Sequence, residues 1–230
     1  MPDRHYLARM DIAGKKFAVI GASGVLGGQM VQALQAAGAS VSCITGPRAT
    51  LPAHMADLPN IAADIRDRAS ISAALTSLGG EFDGIINAAG VVAFGAIDEM
   101  PAVAVEQLFA TNAIGTMNVL AAAKSNLNEG GVCASFTGVA ADMAVMGMSA
   151  YCASKVAAKM AMSIAAREWR KSGLRVLDIR APHTETGLVE RAIWGQAPKM
   201  PAGKAPADVA ARVVAALQAD ETDLPAEAFA

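Results

Sequence analysis

The sequence predicts an α/β protein built on a single doubly wound parallel sheet with helices on both faces. Three observations predict it. Short apolar runs alternate with stretches of helical periodicity from residue 17 to about residue 218. The first apolar run ends on a glycine-rich turn that opens into a helical stretch. No repeat, low-complexity tract or linker divides the 230 residues, so the chain 1–230 reads as one domain. Right-handed crossovers between strands then give the doubly wound arrangement.

The elements follow in order. Residues 1–13 read as an N-terminal extension, and Phe17–Ile20 as a buried strand ending at Gly21. After the turn, Leu26, Met30 and Leu34 recur at helical spacing and Gly38 stops the helix. Val41–Ile44 is a second strand, and three prolines between residues 47 and 60 keep any helix there short. Ile61–Ile65 reads as a third strand. Asp67 can cap a helix carrying Ile71, Leu75 and Leu78, which ends at Gly79-Gly80. Asp83–Asn87 is a fourth strand, followed by the small residues Ala88, Ala89 and Gly90. Pro101–Leu127 reads as one long helical stretch, Val132–Phe136 as a fifth strand. Ser149 can cap a helix running to Arg170, and Arg175–Ile179 is a sixth strand stopped by Pro182. Residues 183–205 lack periodicity. Pro206 starts a last helix with Val209, Val213 and Leu217, and the tail after Asp220 is poorly patterned.

Composition removes several function classes. Hydrophobic residues make up 53% and charged residues 17%, which marks a globular chain. A formal charge of −2 gives no electrostatic case for nucleic acid or an anionic membrane. Three scattered cysteines make neither a disulfide frame nor a metal site and suit a reducing cytoplasm. Met1–Asp11 lacks a signal-peptide core, and no apolar run is long enough to span a bilayer.

The chemistry is carried by two stretches. Gly21-Ala22-Ser23-Gly24-Val25-Leu26-Gly27 lies between a strand and a helix, the context in which glycines let backbone N–H groups approach a pyrophosphate. In Tyr151-Cys152-Ala153-Ser154-Lys155 the phenol and the amine share one helix face. A free phenol titrates near pH 10; a neighbouring ammonium draws that value toward the working range of an acid/base catalyst. No acid stands at the end of the second strand to hold ribose hydroxyls, while Arg48 is near. That leans toward the 2′-phosphate of NADP, against an ordinary surface arginine. Asn112, among apolar neighbours, needs partners: it holds a structural water, or bonds the backbone and kinks the helix. Met143, Met146 and Met148 with Trp194 suggest an apolar pocket or plain core.

Together these motifs, with Asp64-Ile65, Asn87-Ala88-Ala89-Gly90, and Asn112 with Gly115, resemble the short-chain dehydrogenases/reductases over roughly residues 14–218. The resemblance implies a Rossmann-type sheet of about seven strands that binds NADP or NAD, in a homodimer or homotetramer. It makes Tyr151 the acid/base, Lys155 the holder of the nicotinamide ribose, and Asn112 the anchor of a relay water. It also implies cofactor contacts from Gly21, Ser23, Gly24, Val25, Leu26 and Gly27, from Asp64 and Ile65 beside adenine, and from Asn87, Ala88, Ala89 and Gly90. Pro182 with Thr184 or Thr186 would meet the carboxamide, and residues 183–205 would form the substrate loop. The implied reaction moves a hydride between nicotinamide and a carbonyl or alcohol substrate.

The departures are specific. Gly138 stands where the family's catalytic serine is expected, so Thr137 or Ser135 would have to supply the hydroxyl. Val25 replaces a loop glycine, and His183 follows Pro182 where a glycine is common. His183 either offers a proton or an anion contact or simply shapes the loop. With the serine gone, the alternative is a cofactor-binding regulatory or scaffold protein with impaired turnover.

Overall fold

The computed structural model describes residues 10–230; residues 1–9, most of the expected N-terminal extension, lie outside the described residues. Seven parallel strands form one sheet in the order β3-β2-β1-β4-β5-β6-β7. They are β1 (Lys16–Ile20), β2 (Ser40–Thr45), β3 (Asn60–Ala62), β4 (Phe82–Asn87), β5 (Leu127–Phe136), β6 (Arg175–Ile179) and β7 (Asp223–Leu224). The winding reverses between β1 and β4, and this opens a crevice beyond their C-terminal ends.

Alternation along β1 divides the core. Phe17 and Val19 pack with α1 (Val25–Ala36) and α6 (Pro206–Gln218), through Met30, Leu34, Val209, Val213 and Leu217. Ala18 and Ile20 face α2 (Arg68–Ser77), α4 (Gly115–Ala123) and α5 (Ser149–Trp169), through Leu75, Val119, Met162 and Trp169. A strand buried on both faces reads as a continuous apolar run, which is what these strands are. Asp67 caps α2 by accepting from the Ala69 N–H, and Pro206 occupies the first position of α6, as the sequence predicts.

The structure departs from the sequence in four places. The stretch 101–127 is not one helix: α3 (Ala102–Leu108) passes into a π-turn, Phe109–Ile114, before α4. The third strand ends at Ala62, so Asp64 and Ile65 sit in the turn beyond it. Ser149 does not cap α5; it is the first helical residue, Met148 takes the cap position, and the Ser149 hydroxyl is buried without a partner among the described residues. The tail supplies β7, whose two residues pair with Asp178 and Ile179.

Candidate active site

The crevice is assembled from strand ends. Gly21 leaves β1 with φ +81, and a Cβ there would lie 2.8 Å from the Ala89 nitrogen. A Cβ on Gly27 would lie 2.2 Å from the Gly21 carbonyl oxygen. Backbone therefore packs directly on backbone where the turn meets α1 and the end of β4. Gly24 precedes α1 in extended conformation, and no side chain caps the helix or puts an acid in its first turn. Those first N–H groups and the positive end of the helix suit an anion.

A cavity of about 280 Å³ lies beside this turn, lined by Gly21, Thr45, Arg48, Asp64, Ile65 and Ala89, among others. It is the site that the sequence predicts for the adenosine half of a dinucleotide. Arg66, Gln107, Thr111 and Ile193 also reach it, and sequence reasoning missed all four, as it did the Thr45 hydroxyl. That hydroxyl is buried and has no hydrogen-bond partner among the described residues. Asp64 is held from one side: its carboxylate accepts from Arg66 Nη2 at 2.6 Å and Nε at 2.9 Å. The Arg66 guanidinium keeps the Asp64 carboxyl below the usual range. Ile65 occupies the space left by Gly115, where a Cβ would come within 3.0 Å of it.

Asn87 and Asn112 fix the far wall. Asn87 donates to the Ser135 hydroxyl at 3.0 Å and accepts from the Ala89 N–H, which sets the Ala88-Ala89-Gly90 turn. Ser135 is thereby buried with Asn87. Asn112, in the π-turn, accepts from the Val91 N–H at 3.0 Å and donates to the Val91 carbonyl at 2.9 Å. Its second amide hydrogen goes to the Ser154 hydroxyl. The widened turn lets the amide reach across; of the two roles the sequence allowed, the side chain takes the backbone-bonding one.

On α5, Lys155 Nζ lies 5.8 Å from the centre of the Tyr151 ring and donates to the Phe136 carbonyl at 3.0 Å. A Cβ on Gly90 would come within 3.5 Å of that Nζ and 3.4 Å of Asn112 Oδ1. The structure thus brings Gly90, Asn112, Tyr151 and Lys155 together. Burial drives both titrating groups away from their charged forms: Lys155 falls to about 8 and Tyr151 is pushed up to about 12. The phenol is not lowered, because the ammonium faces the ring, bonds the Phe136 carbonyl, and does not offset desolvation.

Thr137 is buried, and its hydroxyl donates to Asp178 Oδ1 at 2.5 Å. Gly138 has φ +79 and ψ 158, a region where only glycine is comfortable, with open space where a side chain would go. A serine at 138 is opposed by the backbone, not by crowding.

The loop 183–205 is pinned. Thr184 pairs with Lys204, and Gly203 N donates to Glu185. Thr184 donates to the Pro182 carbonyl, and the Thr186 N–H to Thr184. Farther out, Ile193 N donates to Val92 O and Phe94 N to Trp194 O, both at 2.9 Å. Gly195 passes so close to Phe94 that a Cβ would lie 1.8 Å from its carbonyl oxygen. Ile193 and Val189 pack in the clusters that hold Tyr151. Met148 is buried there, whereas Met143, Met146 and Trp194 are exposed. Nε2 of His183 lies 3.7 Å from Glu185.

The family model for short chain dehydrogenases matches residues 15–195. The chain belongs to the short-chain dehydrogenases. Among curated members of the family, 2,3-dihydro-2,3-dihydroxybenzoate dehydrogenase of Escherichia coli (strain K12) is 30% identical over 80% of this chain and 75% of its own. Inactive 2-(S)-hydroxypropyl-CoM dehydrogenase 2 of Xanthobacter autotrophicus (strain ATCC BAA-1158 / Py2) is also 30% identical, over 64% of this chain and 68% of its own. Among solved short-chain dehydrogenases, one from Burkholderia cenocepacia J2315, in complex with NADP, superposes with a TM-score of 0.81. It is 26% identical and covers 95% of this chain and 91% of its own.

Proposed function

We propose that this short-chain dehydrogenase transfers a hydride between NADP or NAD and a carbonyl or alcohol substrate, with Tyr151 as the acid/base. The observation that carries the reading is the convergence of Tyr151, Lys155, Asn112 and Gly90 beside a cavity with an uncapped helix N-terminus at its edge. A dinucleotide fits that frame: Gly21, Ser23, Gly24, Val25, Leu26 and Gly27 would hold its pyrophosphate. Asp64 and Ile65 would flank adenine, and the turn from Asn87 to Gly90 would wall its ribose. Pro182 with Thr184 or Thr186 would lie against the carboxamide. The cofactor, when bound, supplies the hydride chemistry. The protein's part is to orient the substrate and move a proton. With a phenol pushed up to about 12, Tyr151 is protonated at neutral pH and donates to a substrate oxygen as negative charge develops on it. Lys155 would hold the nicotinamide ribose.

Arg48, which lines the cavity near the end of β2 where no acid stands, supports NADP over NAD. The loop 183–205, one wall of the Tyr151 enclosure, is the proposed substrate loop of a single domain 1–230. Free, buried Cys43, Cys133 and Cys152 fit a cytoplasmic setting. No described helix is long and apolar enough to cross a membrane.

Loss of NADPH absorbance with a panel of ketones and quinones tests the reading. Tyr151→Phe is expected to lower turnover by at least ~10²-fold while leaving NADPH affinity nearly intact. Gly138 favours a second reading, a binding protein without turnover, and one relative is itself named inactive. Cofactor binding with no oxidation across the panel, and no change in Tyr151→Phe, decides for that reading.

A further inference from the structure

The charges buried behind Lys155 have no part in the proposed proton transfer. β6 and the residue after it set Asp178 and Arg180 in the interior, with side chains 10% and 7% exposed. Strands buried in a parallel sheet are ordinarily apolar, and a buried ion pair is seldom a net gain in stability. Asp178 Oδ1 accepts the Thr137 hydroxyl, and Oδ2 accepts Arg180 Nη1 at 2.6 Å. Arg180 continues to Asp223 of β7, and its Nε makes an ion-pair contact with Asp142 at 2.6 Å. Asp142 in turn pairs with Lys159, one turn beyond Lys155 on α5.

We propose that Asp178 is a positioning residue for Lys155, acting through Thr137 and the last peptides of β5. The path is short. Thr137 directly follows Phe136, whose carbonyl receives the Lys155 ammonium. The Thr137 hydroxyl on Asp178 and the Gly138 N–H on Ile179 O anchor that stretch of chain to β6. Thr137 therefore serves as a strut between the two strands, not as the replacement for the missing serine.

The same carboxylate acts through space. Burial lowers Lys155, and the Asp178 charge opposes it. Around Lys155, α5 contributes Tyr151, Cys152 and Lys159, β6 contributes Asp178, and Arg180 follows directly after β6. Asn112 and Gly90, on the remaining side, are uncharged. Tyr151 stays protonated, Lys159 is matched by Asp142, and Arg180 is shared by three carboxylates. Burial raises the Asp178 carboxyl above the usual carboxylate range, and the Thr137 hydroxyl and the Arg180 guanidinium work against that rise by favouring its charged form.

This rests on the reading of Lys155 as part of the catalytic machinery, but its test does not need turnover. In cofactor-free protein carrying ¹³Cε-lysine, NMR follows the Lys155 titration, assigned by the resonance lost in Lys155→Met. Asp178→Asn is expected to lower the Lys155 midpoint by on the order of one pH unit. Thr137→Val is expected to lower it less, and Thr137→Ser to restore the wild-type value. A midpoint unmoved in both Asp178→Asn and Thr137→Val overturns the proposal. If Asp178→Asn does not fold, the Thr137 pair carries the test alone. Wild-type protein that binds NADPH without turning over would sink the enzymatic reading and leave the NMR result to judge Asp178 separately.

Discussion

The proposed preference for NADP rests on a single side chain, Arg48. It lines the cavity near the end of β2, and no acid competes with it at that strand end. A guanidinium offers paired donors to a phosphate and nothing to a ribose hydroxyl that an amide would not also offer. Arg48→Ala is therefore expected to weaken NADPH by roughly tenfold or more and to leave NADH almost unchanged, from the ~1.5–3 kcal/mol of a charged hydrogen bond. Fluorescence titration with both cofactors measures it; equal losses for the two would remove the NADP assignment. At this scale the sequence revealed identities better than directions. Tyr151 and Lys155 were legible because helical spacing alone puts them on one face. The commitment of Thr137 to Asp178 was not, because it depends on the turn at Gly138, where a positive φ redirects the chain. The Tyr151 shift was missed for a related reason: spacing gives neighbours, but burial decides which charge state they favour.

Adjacent glycines in α1 show how one element meets two demands. Gly27 lies against the Gly21 carbonyl, whereas a Cβ on Gly28 would meet only ordinary contacts, 3.6 Å from Ala22 O and 3.7 Å from Met55 Sδ. Gly27→Ala is expected to lose about 1–3 kcal/mol of stability and to spoil the phosphate turn. Gly28→Ala is expected to gain about 0.5–1 kcal/mol, since it removes only the flexibility of a helical glycine. Urea unfolding and NADPH titration of the two variants separate the cases. Gly27→Ala with wild-type stability and affinity would mean that the turn does not depend on this approach. The elements were legible where burial forces a pattern: six strands, the Asp67 cap and the Pro206 start all follow from local chemistry. The π-turn was not, because the residues 109–114 keep helical spacing and only the reach of Asn112 to Val91 shows the extra width. β7 escaped because two residues are too few to carry alternation; its pairing with β6 and the Arg180–Asp223 contact define it.

Across the whole molecule, the helix that carries Tyr151 and Lys155 has a second face that is uncovered among the described residues. Val156, Met160 and Ile164 recur every fourth residue along α5 and are about half exposed, as are Ile114 and Met117 beside them. Met117, Met160 and Ile164 line a groove together with the buried Leu120 and Trp169, and Arg68, Lys124 and Glu168 add both signs of charge to its lining. These exposed apolar side chains lie on one helix and its neighbour and are not scattered singly. A two-fold contact needs a surface complementary to itself, and an apolar stripe bordered by both charges meets that condition. We propose that a second copy of this chain covers it, giving a homodimer or the core of a homotetramer. Light scattering is expected to find at least two chains per particle for wild type and one for Ile164→Asp. A wild-type monomer at micromolar concentration would refute the assignment. The arrangement has a thermodynamic consequence that composition could not announce. Tyr151 and Lys155 sit on the same helix whose outer stripe would lie in the proposed contact. Association would then stabilise the catalytic helix by mass action, so the melting temperature of wild type should rise with protein concentration and that of Ile164→Asp should not.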